Sequence, residues 1–349
     1  MILPGSQLFN LILLAVGMLC WGLWANTFRM TSKWRFELYY FDFAVGALVA
    51  SLILGFTAGS LGWDGFALID DLRIAGKRQE ATAAAAGIVF NLGNMAILGA
   101  LSVTGVTVAY FIGISLMLTV GIDLLYFTAP SGNGPMVAIG TAIIVVAAVT
   151  IAVCSRLHSM ARLVALMREG KTKSTKKVVK IKGLIMAAIG GLVAAGCFPL
   201  INLAREGENG VGPYSLGLCF AVGIVFSTFV FNLFYMNLPV QGEPIELADY
   251  FTGSTRSHWL GMLGGVLWYS GLASLLIVAR AEGHNILPPI QGRGLMMAVP
   301  FIGAAFGLFR WREYNGVEPR IRMFLALAVL LFLAGAIALT MGAGFGTGA

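Results

Sequence analysis

The chain has 349 residues, of which 58% are hydrophobic and 11% charged, and its formal net charge is +7. A soluble protein carries about 25% charged residues and less than half apolar ones, so water-soluble globular classes are excluded and the solvent of this chain is lipid. The positive charge does not mark a nucleic-acid binder, because Lys and Arg gather in the connectors between apolar runs and are not interleaved with aromatics.

Windows of about 20 mostly apolar residues, the length that crosses a hydrocarbon core, occur at roughly 8–28, 38–58, 83–103, 105–128, 134–154, 183–203, 215–236, 258–279, 290–309 and 322–343. They predict ten transmembrane helices in an all-α polytopic membrane protein. The runs are continuous rather than alternating, which rejects a β-barrel. No Lys or Arg precedes the first window, so it is expected to be retained rather than cleaved as a signal. Cys20, Cys154, Cys197 and Cys219 all fall inside apolar runs without metal spacing and read as free buried thiols.

In chain order, the first helix carries Trp21 and Trp24 on one face, with Asn26 just beyond. The second opens with Glu37 beside Arg35, an expected headgroup-level ion pair, and places Asp42 deeper. The third holds Asn91 and Asn94, three residues apart and hence on one face. Tyr110 begins the fourth helix and Asp123 lies within it. The connector 155–182 is the one strongly basic segment. In the sixth helix Phe198 and Asn202 flank Pro199, which should break the helix; the eighth carries Trp268 and Tyr269, and the ninth opens with Gln291 and Arg293.

Polar groups in hydrocarbon cost a few kcal/mol unless partnered, so these amides and rings are candidates for solute contact, with interhelical glue as the plain alternative. Flat aromatic walls with a few placed amides suit a small polar heterocycle or the face of a sugar. Asp42 first, then Asp123, with Arg293 as a partner, are candidates for carrying a coupling proton, since a desolvated carboxylate binds protons more readily. His158, His258 and His284 fall in or beside loops, so a buried histidine relay is not expected. No metal-ligand spacing, catalytic triad or cofactor motif is present, and the chain reads as a non-enzyme without cofactor or metal.

The basic connector divides the chain into 1–154, 155–182 and 183–349. The outer parts echo each other: Asn26 and Asn202 close similar stretches, and Gly87, Gly93 and Gly105 match Gly265, Gly271 and Gly283. Five spans per half turn the second half upside down, the inverted-repeat plan of secondary transporters. Connectors on the face of 155–182 hold 17 of the 23 Lys and Arg residues. The positive-inside rule therefore puts that loop in the cytoplasm against anionic lipid headgroups, and both termini outside it, in an inner or plasma membrane.

Cys20-Trp21-Gly22-Leu23-Trp24-Ala25-Asn26-Thr27, Phe36-Glu37-Leu38-Tyr39-Tyr40-Phe41-Asp42 and Gly87-Ile88-Val89-Phe90-Asn91-Leu92-Gly93-Asn94, with Arg310-Trp311-Arg312-Glu313-Tyr314 after helix nine, resemble the drug/metabolite transporter superfamily and, within it, the ureide permease family. The resemblance runs through most of the chain. It implies a ten-helix carrier with alternating access that imports a ureide or nucleobase, such as allantoin or uracil, by proton symport. Sugar carriers of the same superfamily share the fold, so a monosaccharide is the alternative solute; a non-transporting scaffold or receptor is the alternative of another class.

Overall fold

The computed structural model describes residues 1–31, 34–128, 130, 132–169, 181–281 and 296–344, which form helices and their connecting turns with no strand among them. In chain order the long apolar helices are α1 Gln7–Met30, α2 Phe36–Phe56, α3 Lys77–Thr104, α4 Val106–Thr128, α5 Gly134–Arg168, α6 Ile181–Arg205, α7 Pro213–Asn237 and α8 Thr255–Arg280, followed by the shorter α9 Met296–Arg310 and then α10 Pro319–Gly342. Among the described residues nine of these are long and apolar enough to cross a membrane. The exception is α9. Its described part of about 15 residues rises only ~22 Å at 1.5 Å per residue, short of a hydrocarbon core of about 30 Å, and the expected start at 290–295 lies outside the described residues.

Two helices depart from the expected boundaries for identifiable reasons. Helix α5 is 35 residues long and continues to Arg168, through what the sequence suggests is the start of a linker. Leu157, Ala161 and Leu163 pack on the core, while Arg156, Arg162 and Arg168 are exposed, so the first basic residues of the connector ride on a helical extension. Helix α6 breaks at Gly196, between Ile181–Ala195 and Cys197–Arg205. Pro199 is the cause. It has no N–H to give the Ala195 carbonyl, and its ring crowds that carbonyl one turn back.

Helix packing follows a compact set of pairs. Helices α1 and α2 both lie on α8, α6 and α7 both lie on α3, α2 meets α7, α1 meets α9, α6 meets α4, and α5 pairs with α10. Glycines permit the closest crossings, as expected where small residues replace hydrophobic drive between helices in lipid. A methyl on Gly87 of α3 would overlap the Phe220 carbonyl of α7, and one on Gly265 of α8 would overlap the Phe43 carbonyl of α2. Gly223 of α7 against Ala84 of α3, and Gly46 of α2 against Met262 of α8, repeat the arrangement one turn away.

Candidate functional site

These crossings bring an aromatic cluster to the middle of the helix bundle. Phe90 of α3 stacks on Trp268 of α8 with ring centroids 4.4 Å apart, and Phe220 of α7 and Phe43 of α2 approach the same indole at 5.8 Å and 5.9 Å. Trp24 of α1 leans on Phe43 at 5.1 Å. Trp21 packs against α8 at Gly271, which has no side chain to displace it; its Nε1 donates to the Trp268 carbonyl at 2.8 Å. The Tyr110 hydroxyl donates to the Trp21 carbonyl at 3.2 Å, reaching across from a π-helical turn, Ala109–Ile114, at the start of α4. Such turns widen a helix locally and often accompany functional positions. Tyr269 turns its hydroxyl onto Gly217 of α7. All these rings are buried.

The amides sit beside this cluster. Asn91 Nδ2 donates to α7, at 2.8 Å to Ser227 Oγ, 3.1 Å to Thr228 Oγ1 and 3.2 Å to the Ile224 carbonyl. Asn94 Nδ2 donates to α2, at 2.9 Å to the Tyr40 hydroxyl. The donors thus join helices, as plain glue would. The acceptors do not: both Oδ1 atoms are fully buried and lack a hydrogen-bond partner among the described residues. Leaving a buried acceptor unmade costs about 1–3 kcal/mol, a sizeable fraction of a net stability of about 5–15 kcal/mol. Asn10 Oδ1 and Asn232 Oδ1 are in the same state, but the Asn91 and Asn94 acceptors lie on one helix face beside the aromatic cluster. Asn26 is satisfied differently, giving Nδ2 to the Gly22 carbonyl at 3.3 Å and accepting Trp311 Nε1 on Oδ1 at 2.8 Å.

A second cluster gathers where α2 and α8 begin. Asp42, with its side chain 5% exposed, accepts the Tyr250 hydroxyl on Oδ1 at 2.6 Å and faces His258 Nδ1 from Oδ2 at 2.9 Å. Gly261 leaves room for the carboxyl, and Trp34 meets the His258 ring edge-on at 5.1 Å. Burial, then the Asp42 carboxylate, raises the Tyr250 pKa, so the phenol remains a donor. Sequence position alone sets His258 beside a loop and misses this pair; the residue is in the first turn of α8 and meets a carboxylate 216 positions away. Glu37, also buried, forms its expected ion pair with Arg35 at 2.7 Å.

The remaining predicted residues lie elsewhere. Asp123 accepts the Thr141 hydroxyl at 2.8 Å between α4 and α5. Asn202 donates to Glu206 at 2.7 Å near the end of α6, and Phe198 packs over Gly121 of α4. Gln291 and Arg293 lie outside the described residues.

Separate from the aromatic cluster is a cavity of about 1030 Å³, walled by the ends of α1 and α3, the extension of α5 and the segment after α9. None of the predicted solute residues among the described ones lines it. One wall is held by Glu313, whose two carboxylate oxygens accept the Val106 and Thr107 N–H groups at 2.7 Å and 2.9 Å. These are orphan donors at the start of α4, where Gly105 turns the chain at φ +96°, and a carboxylate there also meets the positive end of the helix. The resemblance drew attention to Trp311 and Glu313 as a helix ending, but not to their contacts with Asn26 and α4.

Comparison with known proteins agrees with a membrane carrier. The chain is 21% identical to Ureide permease 1 of Arabidopsis thaliana over 87% of its length and 89% of the relative's, and equally to Ureide permease 2 of the same plant. The similarity is to permeases. It spans nearly the whole chain and supports a ureide permease-like relationship and an integral membrane transporter. No protein-family model matches the chain. A crystal structure described only as that of a protein shares 15% identity and aligns with 96% of this chain and 98% of its own at a TM-score of 0.50, a likeness of fold alone.

Proposed function

We propose that this chain is a secondary transporter that imports a small polar nitrogen-rich solute, a ureide or nucleobase such as allantoin or uracil, by proton symport. The observation that carries the reading is the pair of unpartnered carbonyls on Asn91 and Asn94, beside the Phe90–Trp268 stack. A flat ring slid against the aromatics would offer its N–H edge to both acceptors, replacing two costly vacancies with hydrogen bonds. Trp21, Trp24, Asn26, Tyr110 and Tyr269 would complete the walls.

Alternating access would come from two five-helix halves of opposite orientation. Support lies in the helix pairs: exchanging each helix for the one five places on turns α1–α8 into α6–α3, α2–α8 into α7–α3 and α1–α9 into α6–α4, all of which pack. The glycine crossings exchange in the same way, Gly87 on Phe220 for Gly265 on Phe43. A chance resemblance of Gly-rich helices would not conserve partners as well as glycines. The basic connector and the 155–168 extension of α5 would face the cytoplasm and its anionic headgroups, leaving both termini on the other side.

Asp42 is the proposed coupling carboxyl, with Tyr250 and His258 holding it between α2 and α8. A proton entering this cluster would weaken the charge-assisted bonds that join the two helices. The permease relatives favour transport over catalysis.

Uptake by the purified protein in proteoliposomes, with allantoin, uracil, xanthine and hexoses as solutes, tests the proposal. Saturable uptake of a nitrogen heterocycle, not displaced by excess glucose or rhamnose, supports it; displacement by hexose moves the reading to a monosaccharide carrier. A scaffold or receptor predicts instead that deleting residues 168–178 abolishes function while Asn91→Ala does not.

A further inference from the structure

The cavity of about 1030 Å³ differs in chemistry from the aromatic centre. Arg29, Arg156, Arg162 and Arg312 line it, contributed by the end of α1, the extension of α5 and the turn after α9. None of the four guanidinium groups has an ion-pair or hydrogen-bond partner among the described residues; Arg29 has only the face of Trp311, 5.9 Å away. The carboxylates on the walls are Glu313 and Glu318. Glu313 is spent on the start of α4, and Glu318 is solvent-exposed at the edge of the segment.

Four cations around one recess, with the nearer carboxylate already engaged, focus a positive potential inside it. Ordinary interfacial arginines need no cavity and no special backbone. Here Arg312 has φ +50°, the one positive-φ residue other than glycine among the described residues. An αL turn just past a helix end usually takes glycine, and a long side chain there carries a strain cost of about 1 kcal/mol or more. That conformation brings a guanidinium to the cavity wall. Planar guanidinium groups pair bidentately with phosphate oxygens and fit no neutral ureide as well.

We propose that this cavity is a binding site for a phosphate-bearing anion, separate from the solute site between α3 and α8. The ligand would sit between the α5 extension and the 311–318 segment and brace them against the ends of α1 and α3. Its phosphate could belong to a soluble compound or to an anionic lipid headgroup. The proposal stands whether or not the transported solute is a ureide, because it uses none of the aromatic–amide residues.

The test is calorimetric titration of inorganic pyrophosphate into the full-length protein in phosphatidylcholine nanodiscs, with native mass spectrometry of protein reconstituted with added phosphatidylglycerol. Two double variants, Arg29→Gln with Arg162→Gln and Arg156→Gln with Arg312→Gln, reduce the positive charge of the cavity. Arg73→Gln, at an exposed site on the 68–74 helix, controls for loss of a positive charge outside the cavity. Saturable pyrophosphate binding that weakens at least about tenfold in either monodisperse double variant, but not with Arg73→Gln, assigns a soluble phosphate ligand. Retention of phosphatidylglycerol that is lost in the same variants, without pyrophosphate binding, assigns a headgroup. Absence of both, or losses that Arg73→Gln reproduces, overturns the proposal.

Discussion

Phe90 and Trp268 stack with centroids 4.4 Å apart and planes 27° from parallel, although one belongs to α3 and the other to α8. Each follows a glycine crossing in its own helix by three residues, Gly87 for Phe90 and Gly265 for Trp268. The rings that meet at the centre are thus those that a five-helix repeat would exchange, and a solute entering there would part them.

Asn91→Ala should separate glue from solute contact. Ser227 and Thr228 already donate to Gly223 and Ile224 carbonyls at 2.7 Å, so losing the amide leaves neither hydroxyl without a bond. Interhelical hydrogen bonds of this kind average roughly 0.6 kcal/mol in membranes. Thermal unfolding in detergent should therefore shift only slightly, while the KM for uptake rises about tenfold or more, equivalent to roughly 1.4 kcal/mol of lost contact. A large loss of stability with unchanged KM would assign Asn91 to glue.

Asp42→Asn keeps the size of the side chain and its bond to Tyr250 but removes the titratable charge. Solute exchange across a membrane without a pH gradient should persist, and acceleration of uptake by an inward proton gradient should disappear. His258→Gln should weaken that acceleration without abolishing it, because in the proposal His258 positions the carboxyl rather than carrying the proton. Undiminished pH-gradient dependence in Asp42→Asn would remove Asp42 from coupling.

Gly87→Val and Gly265→Val should damage the protein to a similar degree. Each side chain would meet a backbone carbonyl, of Phe220 and Phe43 respectively, which cannot swing away as a flexible side chain can. Overpacking of this kind costs about 1–3 kcal/mol. Parallel drops in unfolding temperature are expected for both; tolerance of one with loss of the other would break the correspondence between α3–α7 and α8–α2.

Glu313→Gln should loosen the start of α4. The neutral amide can accept one of the two backbone donors through its oxygen but loses the charge that favours a helix N-terminus, for a cost of about 1 kcal/mol. Hydrogen exchange at Val106 and Thr107 should quicken while the amides of α10 stay protected. Unchanged exchange at both residues would show that the carboxylate does not cap α4 in solution.

The long spans were legible because each is an unbroken apolar run, and the break in α6 because Pro199 dictates it one turn earlier at Gly196. The overrun of α5 was not, since Arg156 and Arg162 suggest a loop until Leu157, Ala161 and Leu163 are seen packed on the core. Asn91 and Asn94 stood out as amides in hydrocarbon, but which atoms are free depends on partners in α7 and α2. The link from His258 to Asp42 and from Glu313 to Val106 spans more than 200 positions, and only the packed helices reveal it.

Transport itself is tested most directly by following radiolabelled allantoin and uracil into proteoliposomes that contain the purified protein, beside protein-free liposomes and the Asn91→Ala variant. The account predicts saturable, protein-dependent entry of at least one nitrogen heterocycle, faster with an inward proton gradient and sharply reduced in the variant. Entry of neither compound nor xanthine above the protein-free rate, at any gradient, would contradict it.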